Sequence, residues 1–392
     1  MALTTATAVI NLSALKHNLA QIKLLAPTTK VLAVLKANGY GHGLERIAQA
    51  LFSDQSANTK NGDLSVKADA IAVARIDEAL ALRASGITQP IVLLEGFFDS
   101  KDLSILSTHN LQTVVHNQQQ LDAILAAKLS SPLKVWLKID TGMHRLGINP
   151  DQFKHFYQQL TESDNVQQDI VLMSHLGCAD DKDSNVTQRQ ISLFEAVTQG
   201  CDEERTIANS AGICSWPTSH YQWIRPGLLL YGVSPLPLEA PSIKSSQQQL
   251  ANESTSDIVS LNVKPVMTLK SSLIAIRELD AGESIGYGGA WQSKEKTVIG
   301  VVAIGYGDGY PRHAKNGTPV LINGRRVPLI GKVSMDMITV DLGVNSRDKI
   351  GDLVTLWGDD LLVAEIAECA TTISYELLCN ITRRVKMTLS TQ

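Results

Sequence analysis

Short apolar runs of strand length recur along the first two thirds of the chain, with segments of helical spacing between them. The runs are Val31–Lys36, Ala70–Arg75, Ile91–Leu94, Thr113–Val115, Lys134–Ile139, Ile170–Ser174, Thr206–Ala208 and Gly227–Tyr231. Brief, β-branched and bounded by turn residues, they read as buried strands. Apolar positions at helical spacing occupy Glu78–Ala84, Gln118–Ala127, Gln152–Leu160 and Gln188–Thr198. Strands alternating with helices predict an α/β fold, a (β/α)8 TIM-type barrel over residues 1–235. An open doubly wound sheet is the alternative, weakened because no G-x-G-x-x-G follows the first run.

After Val233 the pattern breaks into S-P-L-P-L-E-A-P and a Ser-, Gln- and Asn-rich stretch, Ser242–Ser256. Residues 236–262 read as an exposed linker or insertion; Ser53–Asp63 reads as a second surface insertion. From Val266 the texture changes to Val266–Lys270, Ser272–Ile276, Thr297–Ile304, Pro319–Ile322, Met337–Val340 and Leu353–Leu356, with turns such as Asp280-Ala281-Gly282 and Asn323-Gly324 between them. Residues 263–392 are therefore expected to form a mainly β C-terminal domain with a helix at Val363–Ala370.

Composition narrows the partners. A net charge of −4 over 392 residues, with 44% hydrophobic and 19% charged positions, gives no basis for a nucleic-acid or membrane partner. Five scattered cysteines and nine histidines offer neither a disulfide framework nor a metal-ligand spacing, so no metal is expected. The first residues, M-A-L-T-T-A-T-A-V-I-N-L, lack a basic start and a continuous apolar core, which makes the cytoplasm the expected location.

The candidate chemistry gathers where the predicted strands end, the face on which barrel enzymes carry their active sites. Lys36 closes the first run and is followed by the glycine-rich N-G-Y-G-H-G containing Tyr40. A lysine at a buried strand end is costly unless paired, neutralised or covalently bound, which makes it a candidate Schiff-base former. The fifth run carries Lys138 and empties into D-T-G-M-H-R-L-G with Arg145. The sixth ends at His175, the seventh at Asn209 and Ser210, and I-R-P-G with Arg225 and Gly227 precedes the eighth. Singly, each has a plain structural explanation: an ion pair for Arg145, a satisfied core histidine for His175, a helix cap for Ser210. Placed together at one rim they suit pyridoxal 5'-phosphate, with lysine for the aldehyde, glycine-rich turns for the phosphate and arginines for the ring's polar atoms. In the C-terminal third, I-G-Y-G-G-A-W with Tyr287, I-G-Y-G-D-G-Y-P-R with Tyr306 and Arg312, and G-K-V-S-M-D-M with Met335 and Asp336 are too unusual for plain turns.

These motifs carry a resemblance to the alanine racemases across nearly the whole chain. The block A-V-L-K-A-N-G-Y-G-H-G at 33–43 matches the family's A-V-x-K-A-N-A-Y-G-H-G with glycine for one alanine. K-I-D-T-G-M-H-R-L-G, N-S-A, R-P-G, G-Y-G-D-G-Y and V-S-M-D follow in order. The resemblance implies that Lys36 holds pyridoxal phosphate and exchanges protons on one face of alanine, while Tyr287 from the second subunit of a homodimer serves the other. It implies that Tyr40, Ser210, Gly227 and Leu228 line the phosphate, with Asn209 beside them. Arg145 would approach the phenolic oxygen and the substrate, held by Lys138, which matches a lysine carbamylated in several members. Arg225, backed by His175, would face the pyridine nitrogen, and Met335, Tyr306 and Asp336 would wall the substrate. Where the family often has a tyrosine near its C-terminus this chain has Arg383, leaving Arg383 and Tyr375 as alternatives for that role.

The implied activity is an isomerase interconverting L- and D-alanine by a two-base mechanism, supplying D-alanine for peptidoglycan or consuming it. Three rivals are an amino-acid decarboxylase, a broad-specificity racemase and a non-catalytic cofactor-binding barrel. The decarboxylase would be expected to place a carboxylate, rather than Arg225, at the ring nitrogen. The broad-specificity racemase would be expected to carry an export signal. The cofactor-binding barrel would leave the whole β domain unused.

Overall fold

The short parallel runs close on themselves. In the computed structural model, which describes residues 5–53, 66–237 and 261–390, strand β1 (Thr7–Ile10) precedes the barrel. The barrel strands are β2 (Lys30–Val34), β3 (Ala70–Val73), β4 (Ile91–Leu93), β5 (Gln112–Val115), β6 (Val135–Lys138), β7 (Val171–Met173), β8 (Glu204–Thr206) and β9 (Trp223–Ile224). They pair in chain order, and β2 returns to β9 through Lys30 opposite Trp223. Every residue of β3 and β4 is buried, as expected where side chains on one face fill the barrel and those on the other meet helices. The helices start where the sequence supplies caps. Asn11 Oδ1 accepts from Ala14 N at 2.9 Å to begin Leu12–Leu25, and Asn117 Oδ1 accepts from Gln120 N at 2.9 Å to begin Gln118–Ala126.

Two expectations are corrected. The run Gly227–Tyr231 is not the eighth strand: Leu228–Tyr231 forms a 3-10 turn, and the strand is the two-residue β9 before it. Four consecutive buried apolar residues carry no periodicity that separates strand from helix, and Pro226 with Gly227 breaks the extended chain between them. Arg225 therefore stands at the C-terminal end of the last strand rather than before it. The seventh strand likewise lies earlier than Thr206–Ala208, at Glu204–Thr206.

The second sheet contains β10 (Met267–Leu279), β13 (Thr297–Val302), β14 (Pro319–Ile322), β15 (Arg325–Ile330), β16 (Ile338–Asp341), β17 (Leu353–Trp357) and β18 (Lys386–Leu389), while β11 (Ser284–Ile285) and β12 (Trp291–Gln292) form a separate hairpin. The runs Val266–Lys270 and Ser272–Ile276 are one strand, β10, bent by a bulge between Leu273 and Ala275. Along it Met267–Lys270 pair with β1, Leu269–Ser272 with β17 and Leu273–Leu279 with β13. Asn323 and Gly324, both at positive φ (49° and 80°), make the two-residue turn from β14 to β15. The helix near Val363–Ala370 spans Val363–Cys369. β1, from the other end of the chain, lies in this sheet between β10 and β18. No helix among the described residues is long and apolar enough to cross a membrane. Of the two stretches read as insertions, 54–63 and 242–256 lie outside the described residues, as does most of the 236–262 linker.

Candidate active site

The first barrel strand hands over to a turn of unusual hand. β2 ends at Val34, and after Lys36 the backbone runs left-handed through Ala37 (φ 54°), Asn38 (φ 56°), Gly39 (φ 60°), Tyr40 (φ 51°) and Gly41 (φ 77°). Three of these are L-residues, each costing on the order of 1–2 kcal/mol in that conformation, so the run persists only because its surroundings hold it. Gly39 N donates to Leu35 O at 2.8 Å, Leu44 N to Asn38 Oδ1 at 2.9 Å, and Ala37 N to the Glu78 carboxylate at 2.7 Å. His42 Nδ1 donates to Tyr40 O at 2.8 Å; burial lowers this imidazole to about 4, so it stays neutral. Gly41 is required for room as well as hand, since a Cβ there would stand 2.0 Å from Leu378 O. The reversal brings the Lys36 amine and the Tyr40 ring to one cavity of about 730 Å³ at the C-terminal mouth of the barrel.

Most of the residues singled out at the strand ends meet there. Lys36, Tyr40, Lys138, Arg145, His175, Asn209, Ser210, Arg225 and Gly227 all line the cavity. Leu228, one residue beyond Gly227, is buried and does not. Arg145 is carried on a loop shaped by Asp140, whose Oδ1 accepts from the backbone N–H of Gly142, Met143 and His144 at 3.0–3.1 Å.

At one end of the cavity the groups suit an anion. Ser210 Oγ accepts from Gly227 N at 3.0 Å and Leu229 N at 3.4 Å. A side chain on Gly227 would put its Cβ 2.5 Å from the Tyr40 hydroxyl, so glycine is what lets that hydroxyl reach the turn. Burial, with smaller contributions from Tyr375 and Cys379, keeps the Tyr40 phenol protonated. Its ring stacks on Tyr231 at 4.7 Å, and Tyr231 OH is anchored on Val34 O at 3.2 Å.

Arg225, also in the lining, is 4% exposed and held by four hydrogen bonds. Nη1 donates to Thr206 Oγ1, and Nη2 to Ser174 O, Ile207 O and His175 Nδ1, at 2.5–3.2 Å. Burial lowers it to about 9, which leaves it protonated at neutral pH. Burial, reinforced by Arg225, Lys138, Arg145 and Lys36, drives His175 well below the ordinary imidazole value.

The cavity is crowded with positive charge: Lys36, Lys138, Arg145 and Arg225 face one carboxylate, Glu95, among its described lining residues. Burial and then Arg145 lower the Lys36 amine, with Glu95, Cys379 and Glu78 acting against them. Lys138, 8% exposed, falls to about 8 through burial and then Arg225, Arg145 and Lys36. An amine of lowered proton affinity, a cradle for a phosphate and surplus cations fit pyridoxal phosphate.

The residues from the β sheet lie elsewhere. Tyr287 (69% exposed) sits at the tip of the β11–β12 hairpin and is not among the lining residues. Tyr306, Met335 and Asp336 come together on two interlocked turns: Tyr306 N donates to Ser334 O at 3.0 Å and Gly307 N to Met335 O at 2.9 Å. Arg384 binds Asp336 at 2.7 Å and Asp308 at 3.2 Å. Tyr306 and Met335 are exposed and, with Asp336, lie outside the Lys36 cavity.

Sequence reasoning missed Glu78, Glu95 and Cys379. Glu78 belongs to a helix-start pattern and reads only as part of a helix; its reach to Ala37 is a tertiary contact with no local signal. Of the two C-terminal alternatives, Tyr375 lines the cavity and leans on Tyr40 at 5.8 Å, whereas Arg383 is exposed and does not line it.

A closed barrel with a half-buried lysine, an anion cradle and a protonated arginine at its mouth defines a Schiff-base enzyme of the pyridoxal phosphate class. Residues 10–235 match the family described as alanine racemase, N-terminal domain, and residues 266–389 the alanine racemase C-terminal domain. The chain is 52% identical to the alanine racemase of Vibrio cholerae over 97% of each chain, and 49% identical to the biosynthetic alanine racemase of Escherichia coli over 97% of this chain and 98% of that one. Among solved structures, biosynthetic alanine racemase from Pseudomonas aeruginosa superposes with a TM-score of 0.87 at 39% identity over 99% of each chain. That from Bartonella henselae, which carries covalently bound pyridoxal phosphate, gives 0.83 at 26% over 98% of this chain and 99% of that one. The chain belongs to the alanine racemase family.

Proposed function

We propose that the protein is a pyridoxal phosphate-dependent racemase that interconverts L- and D-alanine. The observation that carries this reading is the half-buried Lys36 amine sharing one cavity with the Arg225–His175 pair and the Ser210–Gly227 cradle. Lys36 would hold the cofactor covalently, Tyr40, Ser210 and Gly227, with Asn209 and Leu228 behind them, its phosphate, Arg145 its phenolic side, and Arg225 its ring nitrogen. When bound, pyridoxal phosphate supplies an electron-withdrawing system that acidifies the Cα–H of an attached amino acid.

The fate of that proton is decided by the chain's own residues. Lys36, with its proton affinity lowered by burial and by Arg145, can take a proton from one face of Cα and return it. Arg225 holds its proton in four hydrogen bonds and offers only donors, so it leaves the ring nitrogen without a proton of its own. A weaker electron sink favours returning the proton to Cα over losing it elsewhere.

Racemisation needs a second group on the opposite face. In a homodimer with shared sites, the exposed Tyr287 of one protomer would enter the partner's cavity as that group, and Tyr306, Met335 and Asp336 would wall the substrate. Exposure of Tyr287, Tyr306 and Met335 in the single chain supports this. Lys138 would act as a carbamate: its neutral Nζ attacks the carbon of carbon dioxide, an N–C bond forms, the nitrogen loses a proton to solvent, and the resulting anion attracts Arg145. The surplus of cations around Lys138 supports that charge reversal.

The division into a barrel over 1–235, a linker over 236–262 and a β domain over 263–392 is part of the same reading, with β1 contributed to the second sheet. The cysteines are free thiols, which suits a cytoplasmic enzyme supplying D-alanine for peptidoglycan, or consuming it. The test is the visible spectrum of the purified protein with pyridoxal phosphate, together with D-alanine formed from L-alanine. A colourless protein that forms none overturns the proposal.

A further inference from the structure

The left-handed run that begins beside Lys36 is held from outside by one side chain to which the proposed chemistry gives no part. Glu78 sits in the first turn of the helix Ile76–Ala84, just after the second barrel strand. Its Oε2 accepts from Ala74 N at 3.0 Å and Arg75 N at 3.1 Å, the local work of a helix cap. Its Oε1 does something a cap does not: it crosses to the neighbouring strand end and accepts from Ala37 N at 2.7 Å. Ala37 is the residue after Lys36 and the first with positive φ. One carboxylate thus ties the exits of two adjacent barrel strands, at the residue where the chain reverses its hand.

We infer that Glu78 is a positioning residue for Lys36. By fixing the Ala37 N–H it sets where the left-handed turn begins, and so where the Lys36 amine stands relative to the Tyr40 hydroxyl and the Ser210–Gly227 cradle. The other fasteners of the turn act further along: Asn38 on Leu44 N, and His42 on Tyr40 O. Glu78 alone among the described side chains binds the backbone of the residue that succeeds the lysine. Its charge has a second effect, since it is one of the groups that favour the protonated amine against burial and Arg145. Glutamine cannot replace it: three N–H groups converge on two acceptor oxygens, and an amide keeps one.

The inference deepens the proposed site and rests on Lys36 being the cofactor lysine, so its test includes a measurement made without cofactor. In the cofactor-free full chain, the acetylation rate of Lys36 by acetic anhydride is read by mass spectrometry against the exposed Lys101. With cofactor, its dissociation constant, kcat and KM for alanine and the melting temperature are measured. Glu78→Gln is expected to raise Lys36 acetylation on the order of threefold, because the amine is both freed and less readily protonated. Loss of position is expected to lower kcat by about tenfold or more, with a smaller change in KM. A residue that merely caps its own helix would lower the melting temperature and leave Lys36 labelling, cofactor retention and kcat within about twofold; that result overturns the inference. If Glu78→Gln fails to fold, Glu78→Asp keeps the charge at the helix start but falls short of Ala37, and is held to the same two outcomes. A wild type that binds no pyridoxal phosphate, while Lys36 labelling still responds to Glu78→Gln, would sink the cofactor reading and leave this one standing.

Discussion

Arg225 Nη2 donates to Nδ1 of His175 across 3.0 Å. Because a guanidinium has no acceptor to offer, this one bond fixes His175 as neutral with its proton on Nε2. A buried cation thereby gains a partner that adds no charge. A carboxylate in place of His175 would have neutralised the arginine and blunted its effect on a bound ring.

Replacing Arg225 by glutamate should therefore change the outcome of the reaction as well as its rate. Racemisation is expected to fall on the order of 100-fold or more, while pyruvate formed per racemisation event rises. Both are measured in one incubation, by D-alanine and keto-acid assays. A proportional fall in both products would reject the role given to Arg225.

Tyr287→Phe should impair one direction of proton removal more than the other. Solvent deuterium exchange into the two enantiomers, measured separately, is expected to be lost chiefly from L-alanine. Because Tyr287 stands outside the Lys36 cavity of its own chain, mixing inactive Lys36→Ala and Tyr287→Phe proteins should restore activity through hybrid dimers. No recovery after verified subunit exchange argues against shared sites.

Lys138 gives a signed dependence of stability on pH. Its amine lies at about 8 in the folded protein against an ordinary 10.5, chiefly through burial. Between those values the unfolded chain binds a proton that the folded chain does not, so this group makes stability rise with pH. Below about 8 the penalty is constant. In cofactor-free protein and carbon dioxide-free buffer, the stability of wild type relative to Lys138→Met should improve by roughly 2–3 kcal/mol from pH 7.5 to pH 10.5. Urea unfolding measures it, and a flat difference would refute the assignment. Bicarbonate should flatten the curve as the carbamate forms.

Gly227→Ala should act through contact rather than backbone strain, since φ at Gly227 is −113°. The new Cβ would meet the Tyr40 hydroxyl at 2.5 Å and push it out of the anion cradle. Cofactor affinity is expected to weaken on the order of tenfold, read by fluorescence titration. Tyr40→Phe alone, which removes that oxygen, should weaken affinity about as much, and adding Gly227→Ala to it should cost little more; additive losses would point to the Ser210 bond instead.

The barrel was legible because parallel strands buried on both faces stand out as apolar runs, and the lysine, arginines and Ser-Gly turns stand where those runs stop. What escaped came from geometry without a local signal. Leu228–Tyr231 has the composition of a strand and the shape of a tight turn, because burial on all sides erases periodicity. β1 lies within residues 1–235, the span expected for the barrel, and pairs instead with residues more than 250 positions later. Glu78 does the ordinary work of a helix cap as well as reaching Ala37, and only the latter bears on the site. The left-handed turn was visible as glycine content, but Ala37, Asn38 and Tyr40 adopt it too, under constraint from neighbours distant in sequence.

The place of β1 bears on how the molecule comes into being. Thr7–Ile10 is flanked on one side by β10, which begins at Met267, and on the other by β18, which ends at Leu389. A nascent chain thus carries an apolar strand whose flanking strands emerge more than 250 residues after it. A barrel severed from the rest would leave that strand with nothing to pair against. The two halves of the molecule are consecutive in sequence but completed together.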